Sequence, residues 1–143
     1  VIIPPVEVSA HGDYVAALRP RLDRAAKLMA ILAAFPHFGK PYDFDFDFAT
    51  DNAVVCTELV FKAYEPRAGK PGLRFPLENI TGRTILPPHG IAALFDRELG
   101  TPGQQLDFIG FYDGVEAEGR AYARDAEVFR KTWQRSKWDI AQR

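Results

Sequence analysis

The sequence predicts a single α+β domain in which helices pack against an antiparallel sheet. Helix-period stretches at residues 22–35 and 56–65 alternate with strand-period stretches at residues 44–48 and 115–123. Asp113-Gly114 is a hairpin signal between two candidate strands. No internal repeat and no linker interrupts residues 1–143, so they read as one domain.

Each element has its own signature. Residues 1–8 are apolar with two prolines, which suits an edge strand or an extended segment. Residues 14–18 form a short strand candidate ahead of Arg19-Pro20. In residues 22–35, Leu28, Ile31, Leu32 and Phe35 recur at i, i+3, i+4 and i+7, and Pro36 and Gly39 stop the helix. Residues 43–48 alternate, with Phe44, Phe46 and Phe48 on one face and Asp43, Asp45 and Asp47 on the other. Leu59, Val60, Ala63 and Tyr64 share one face of a helix that begins near Cys56 and closes before Pro66.

Residues 67–77, rich in Pro, Gly and cations, read as a solvated loop. Residues 84–86 suit a brief strand. Residues 87–99 suit a helix with Pro88 in its first turn and Gly100 past its end. Residues 106–112 are an apolar strand. Residues 115–123 alternate small apolar with charged side chains, which predicts a strand with one wet face. Residues 126–135 suit a terminal helix carrying Val128, Phe129 and Trp133, with Trp133 and Trp138 as packing or docking residues.

Composition excludes several classes of function. A net charge of −1, with basic residues interleaved among acids, gives no electrostatic footprint for nucleic acid. A single cysteine excludes an internal disulfide framework and a multi-cysteine zinc site. No apolar run is long enough to span a membrane. No cofactor motif is present, and the compartment stays open between cell envelope and cytoplasm.

Cys56 is the most informative residue. It falls at a predicted helix N-terminus, where backbone N–H groups and the macrodipole favour an anion, and the reactive form of cysteine is the anion. A free thiol of pKa about 8.5 is only a few per cent thiolate at neutral pH, whereas one of pKa about 6 is roughly nine-tenths thiolate. A helix end in an exposed setting supplies about 0.3–1 kcal/mol, so a nucleophile here also needs a histidine. The competing reading is a small buried hydrophobe.

The run Gly39-Lys40-Pro41-Tyr42-Asp43-Phe44, an acidic-aromatic stretch, and then Cys56-Thr57-Glu58-Leu59-Val60 resembles the YiiX/YaeF-type permuted papain-like amidases, relatives of the NlpC-type hydrolases. The likeness is dense over residues 39–64. It is looser over residues 84–95 and over residues 13–22, which include Leu18-Arg19-Pro20. The resemblance implies a circularly permuted papain-like fold, an antiparallel sheet packed against the cysteine-bearing helix. It also implies a hydrolase of amide or ester bonds with Cys56 as nucleophile. A peptide or small molecule would be the substrate: a cell-wall peptide, a lipid-linked amide or an acyl amino acid. In the family order the histidine strand precedes the cysteine helix and lies upstream of the Leu-Arg-Pro element. The chain is therefore expected to be the C-terminal part of the domain, incomplete at its N-terminus and completed by an N-terminal segment or by oligomerisation. A non-catalytic binding module on the same scaffold is the alternative.

The neighbours of Cys56 carry paired readings. Thr57 and Glu58 suit either capping and charging of the first helical turn or a place in the substrate-binding or oxyanion site, where helix-start amides can donate, and in the family the glutamate belongs to the motif and orients that turn. Tyr42 and Asp43 either line the pocket beside the thiol or form a tight turn after Pro41. His11 suits a polar turn, His37 a helix end and His89 a surface first turn, and none matches the family's histidine position. Asp43-Phe44-Asp45-Phe46-Asp47 resembles the start of a calcium loop, but both registers fail the EF-hand requirements, so no metal site is expected. Arg67, Lys70 and Arg74 either meet a substrate anion or are solvated.

Overall fold

Short polar caps and one aromatic core organise the chain. A computed structural model describes residues 1–10, 12–46, 48 and 50–135. The order is α1 (Val6–Ser9), β1 (Tyr14–Pro20), α2 (Arg24–Ala34), a 3₁₀ turn (Phe35–His37), α3 (Cys56–Tyr64), β2 (Glu78–Ile80), β3 (Arg83–Ile85), α4 (Gly90–Glu98), β4 (Leu106–Val115), a 3₁₀ turn (Glu116–Glu118), β5 (Arg120–Arg124), α5 (Ala126–Phe129) and a last 3₁₀ turn (Thr132–Gln134). Asp23 caps α2 by accepting from the Ala26 amide at 2.7 Å, and Asp125 caps α5 by accepting from Val128 at 3.0 Å.

The fold is α+β, as expected. The main sheet is antiparallel with β4 central, flanked by β1 and β5. β1 runs from Tyr14 opposite Asp113 to Pro20 opposite Leu106, with a bulge between Ala17 and Leu18. The core behind the sheet is Leu73, Leu94, Phe95, Leu106, Phe111 and Phe129. Phe129 stands 5.3 Å from Phe95 and 5.5 Å from Phe111 between ring centroids. α3 meets this core through Tyr64 and packs chiefly on α2.

Several expectations are corrected. Among the described residues no strand forms between Phe38 and Val55. Asp43 Oδ1 accepts from the Asp45 amide at 2.9 Å, closing a turn, and Phe46 has φ +53°. Period two without a partner strand is not sufficient for a strand; Asp47 lies outside the described residues. The extended reading of residues 1–8 gives way to α1 from Val6.

Asp113-Gly114 is not the hairpin turn. Both residues lie within β4, and a Cβ on Gly114 would meet the Asp13 carbonyl oxygen at 1.9 Å. That glycine admits a close backbone approach. The chain reverses at Glu116–Glu118 and Gly119, whose φ is +59°. β5 therefore begins only at Arg120, and all five of its residues are exposed. Thr81 and Gly82, both at positive φ, turn the β2–β3 hairpin, of which the sequence reading found only the second strand.

The apolar stripe of α2 does not face the core. Ala26 and Ala30 are its buried residues, while Leu28, Ile31, Leu32 and Phe35 are each about half exposed. Ile2, Ile3 and Phe38 extend this exposed apolar surface. No helix of the described residues is long and apolar enough to cross a membrane.

Candidate active site

Cys56 is the first residue of α3 and is solvent-exposed. Its neighbours in a cavity of about 200 Å³ are Val1, Ile2, Tyr42, Val54, Val55 and Leu59. Val54 donates from its amide to the Pro41 carbonyl at 3.0 Å, which brings the Tyr42 loop back to the start of α3. Tyr42 thus lines the thiol cavity. Its ring lies 4.9 Å from that of Phe44 and 6.3 Å from that of Phe46. Asp43 is buried and makes the turn to Asp45, so the loop reading accounts for it.

The first turn of α3 is fixed from within. Leu59 donates to the Val55 carbonyl at 2.9 Å, and Glu58 Oε2 accepts from the Val55 amide at 3.2 Å. Val55 has no side-chain acceptor, so only this reverse half of a capping box forms. The amides of Cys56, Thr57 and Glu58 belong to the first turn of α3, whose donors have no intrahelical acceptor. Thr57 is buried, and Glu58 is 0% exposed.

The counter-charge of Glu58 is Lys62, one turn on, with Nζ 2.7 Å from Oε1. The contact is an ion pair whose angles fall outside hydrogen-bond geometry. Lys62 also donates to the Asp51 carboxylate and to the Thr50 carbonyl. Burial works against its charge, but the Asp51 and Glu58 carboxylates outweigh that and hold the ammonium above its usual pKa. The same hydrogen bond and charge hold Asp51 below its usual range. The Glu58–Lys62 pair has i, i+4 spacing on α3 but was not singled out from the sequence; the tie to residues 50–51 spans a loop and leaves no such local signal.

His37 is buried in the 3₁₀ turn after α2. Its Nδ1 lies 3.2 Å from Lys40 Nζ, and since an ammonium only donates, Nδ1 accepts. Burial, then the Lys40 and Lys62 ammonium groups, hold His37 below its usual 6.5. It lines a separate cavity of about 550 Å³ with Lys40, Asp51, Phe61 and Lys62. Cys56 does not line that cavity. His89 is exposed at the start of α4, and His11 lies outside the described residues, as does Trp138. Lys70 Nζ donates to the Ala63 carbonyl at 2.8 Å, and Arg67 pairs with Glu65 at 3.2 Å. Those loop cations therefore close the end of α3.

A family model described as permuted papain-like amidase enzyme, YaeF/YiiX, C92 family, matches residues 9–107. That span contains β1, α2, the Tyr42 loop, α3 and α4. No curated protein and no solved structure matches the chain.

Proposed function

Because the chain belongs to the permuted papain-like amidase family of YaeF/YiiX type, and so to the papain-like amidase or peptidase kind of hydrolase, we propose that Cys56 is a nucleophile that cleaves amide or ester bonds. The observation that carries this reading is an exposed cysteine at the first position of α3, opening into a cavity beside Tyr42.

The thiolate Sγ attacks the substrate carbonyl carbon, and a C–S bond forms as the carbonyl becomes an oxyanion. Amides of the first turn of α3 supply donors to that oxyanion. Collapse breaks the C–N or C–O bond, and the leaving group takes the proton that a general acid received from the thiol. Water then hydrolyses the thioester. Tyr42 flanks the acyl group, Thr57 packs under the turn, and Asp43 shapes the loop that carries Tyr42. The acid–base role falls to a histidine, as a cysteine nucleophile requires. The acyl substrate is a cell-wall peptide, a lipid-linked amide or an acyl amino acid.

The test is trapping. An activated ester added to the intact protein should leave an acyl adduct on Cys56, read by mass spectrometry. A Cys56→Ala variant should fold normally, carry no adduct and turn over no substrate. Retained activity in that variant would end the proposal. A second reading is favoured by one observation, that neither His37 nor His89 lines the thiol cavity. It is a binding module on the same scaffold, and it predicts no adduct on either protein.

A further inference from the structure

We infer that Lys62 is a positioning residue for the Cys56 turn, acting through Glu58 on the backbone immediately before the nucleophile. The inference rests on the nucleophile reading and adds what holds that nucleophile in place.

The geometry is a chain of contacts. Lys62 Nζ lies 2.7 Å from Glu58 Oε1, and Glu58 Oε2 accepts from the Val55 amide at 3.2 Å. Val55 is 1% exposed and precedes Cys56 directly. Glu58 has no contact with solvent, and the Lys62 side chain is 15% exposed. A carboxylate so placed needs its counter-charge, and removing one partner of such a pair leaves the other uncompensated. Lys62 also grips the Thr50 carbonyl and the Asp51 carboxylate, so one ammonium ties the loop entering α3 to the second turn of the helix. A surface ion pair would do none of this.

The function of this arrangement is orientation. The amides at the start of α3 act on a thiolate or an oxyanion only where they point at it. Glu58 fixes the Val55 peptide, and Lys62 fixes Glu58. The other titratable groups around Lys62 are Asp51 and, lining the neighbouring cavity, His37, Lys40, Glu65 and Arg67.

The experiment separates orientation from simple electrostatics. The paired variant Glu58→Leu, Lys62→Met removes one charge of each sign, so the net charge near Cys56 is unchanged. It also removes the acceptor for the Val55 amide. Alkylation of Cys56 by iodoacetamide at neutral pH should slow about threefold or more, with the rate profile displaced to higher pH. Hydrogen exchange at the Val55 amide should quicken. Lys62→Arg alone, which keeps Glu58 and a cation beside it, should leave both readouts at the parent values. A folded paired variant with the wild-type alkylation profile would overturn the inference.

If the paired variant does not fold, Glu58→Ala, which removes the acceptor outright, decides. Removing a negative charge would by Coulomb's law alone favour the thiolate and speed alkylation. The positioning role predicts slower alkylation, so an unchanged or faster rate overturns it. Each variant is compared with the parent protein, so a parent that forms no acyl adduct counts against the nucleophile reading alone.

Discussion

His37 and Cys56 open into two separate cavities. Cys56 shares its cavity with Leu59, whereas His37 shares its own with Phe61 and Lys62. On a helix of 3.6 residues per turn Phe61 points roughly 160° away from Leu59, whereas Lys62 lies about 60° from it. Nearness in sequence therefore does not make His37 the base. His37→Gln should leave the alkylation profile of Cys56 in place. A profile that moves to higher pH in this variant would restore His37 as the partner of the thiol.

His37 should instead make stability depend on pH. Its folded-state pKa lies below 6.5, first through burial and then through Lys40 and Lys62. The unfolded chain then binds the proton more readily than the folded one. The stabilisation is fully present above about pH 6.5 and is lost as pH falls through the folded value. The groups facing the imidazole are Lys40, Lys62, Asp51 and Glu58, and the carboxylates oppose the shift without cancelling it. Urea midpoints compared between about pH 7.5 and pH 5 should fall in the parent protein and fall less in His37→Gln. Parallel declines in the two proteins would contradict this.

How far the sequence foretold the site can be argued from these residues. Cys56 at the head of α3 and Tyr42 beside it were legible, because a helix start and a short motif are local signals. The Glu58–Lys62 pair, although spaced i, i+4, was not singled out, because spacing alone does not say that both side chains are largely buried. The position of His37 was not legible, since which cavity a side chain enters depends on how α2 docks on α3. The strand expected at residues 44–48 failed because alternation describes a surface and not its partner. The stripe on α2 was legible as helical, but its period did not say which face packs, and the buried residues are Ala26 and Ala30.

The aromatic core gives a stability prediction. Phe95 is 1% exposed and contacts both Phe108 and Phe129. Phe95→Ala should cost about 3–5 kcal/mol through lost burial and the cavity left behind. Chemical denaturation measures it, and a loss well under 1 kcal/mol would argue against this packing.

Gly72 gives a steric one. A Cβ there would lie 2.1 Å from the Tyr64 carbonyl oxygen, which accepts from Leu73 at 2.7 Å at the end of α3. Gly72→Ala should force that loop off the helix and destabilise the protein by more than about 1 kcal/mol. Gly103→Ala, where the nearest atom is a threonine oxygen 3.9 Å away, serves as the control and should be close to neutral. Equal melting temperatures for the two variants would contradict the close approach.

The C-terminal anchor is the Arg135 guanidinium on Asp113, with paired contacts of 2.7 and 2.9 Å and both side chains largely buried. Arg135→Met should cost about 1.5–3 kcal/mol, as expected when a charged hydrogen-bonded pair is broken. A denaturation midpoint equal to that of the parent would show that the pair is dispensable.

The most direct test of the central claim is the pH dependence of Cys56 alkylation by iodoacetamide in the intact protein. A nucleophile held at the start of α3 predicts fast reaction that persists well below pH 7. A rate that rises only near the ordinary thiol range of about 8.5, or appears only on denaturation, would contradict it and leave Cys56 a structural residue.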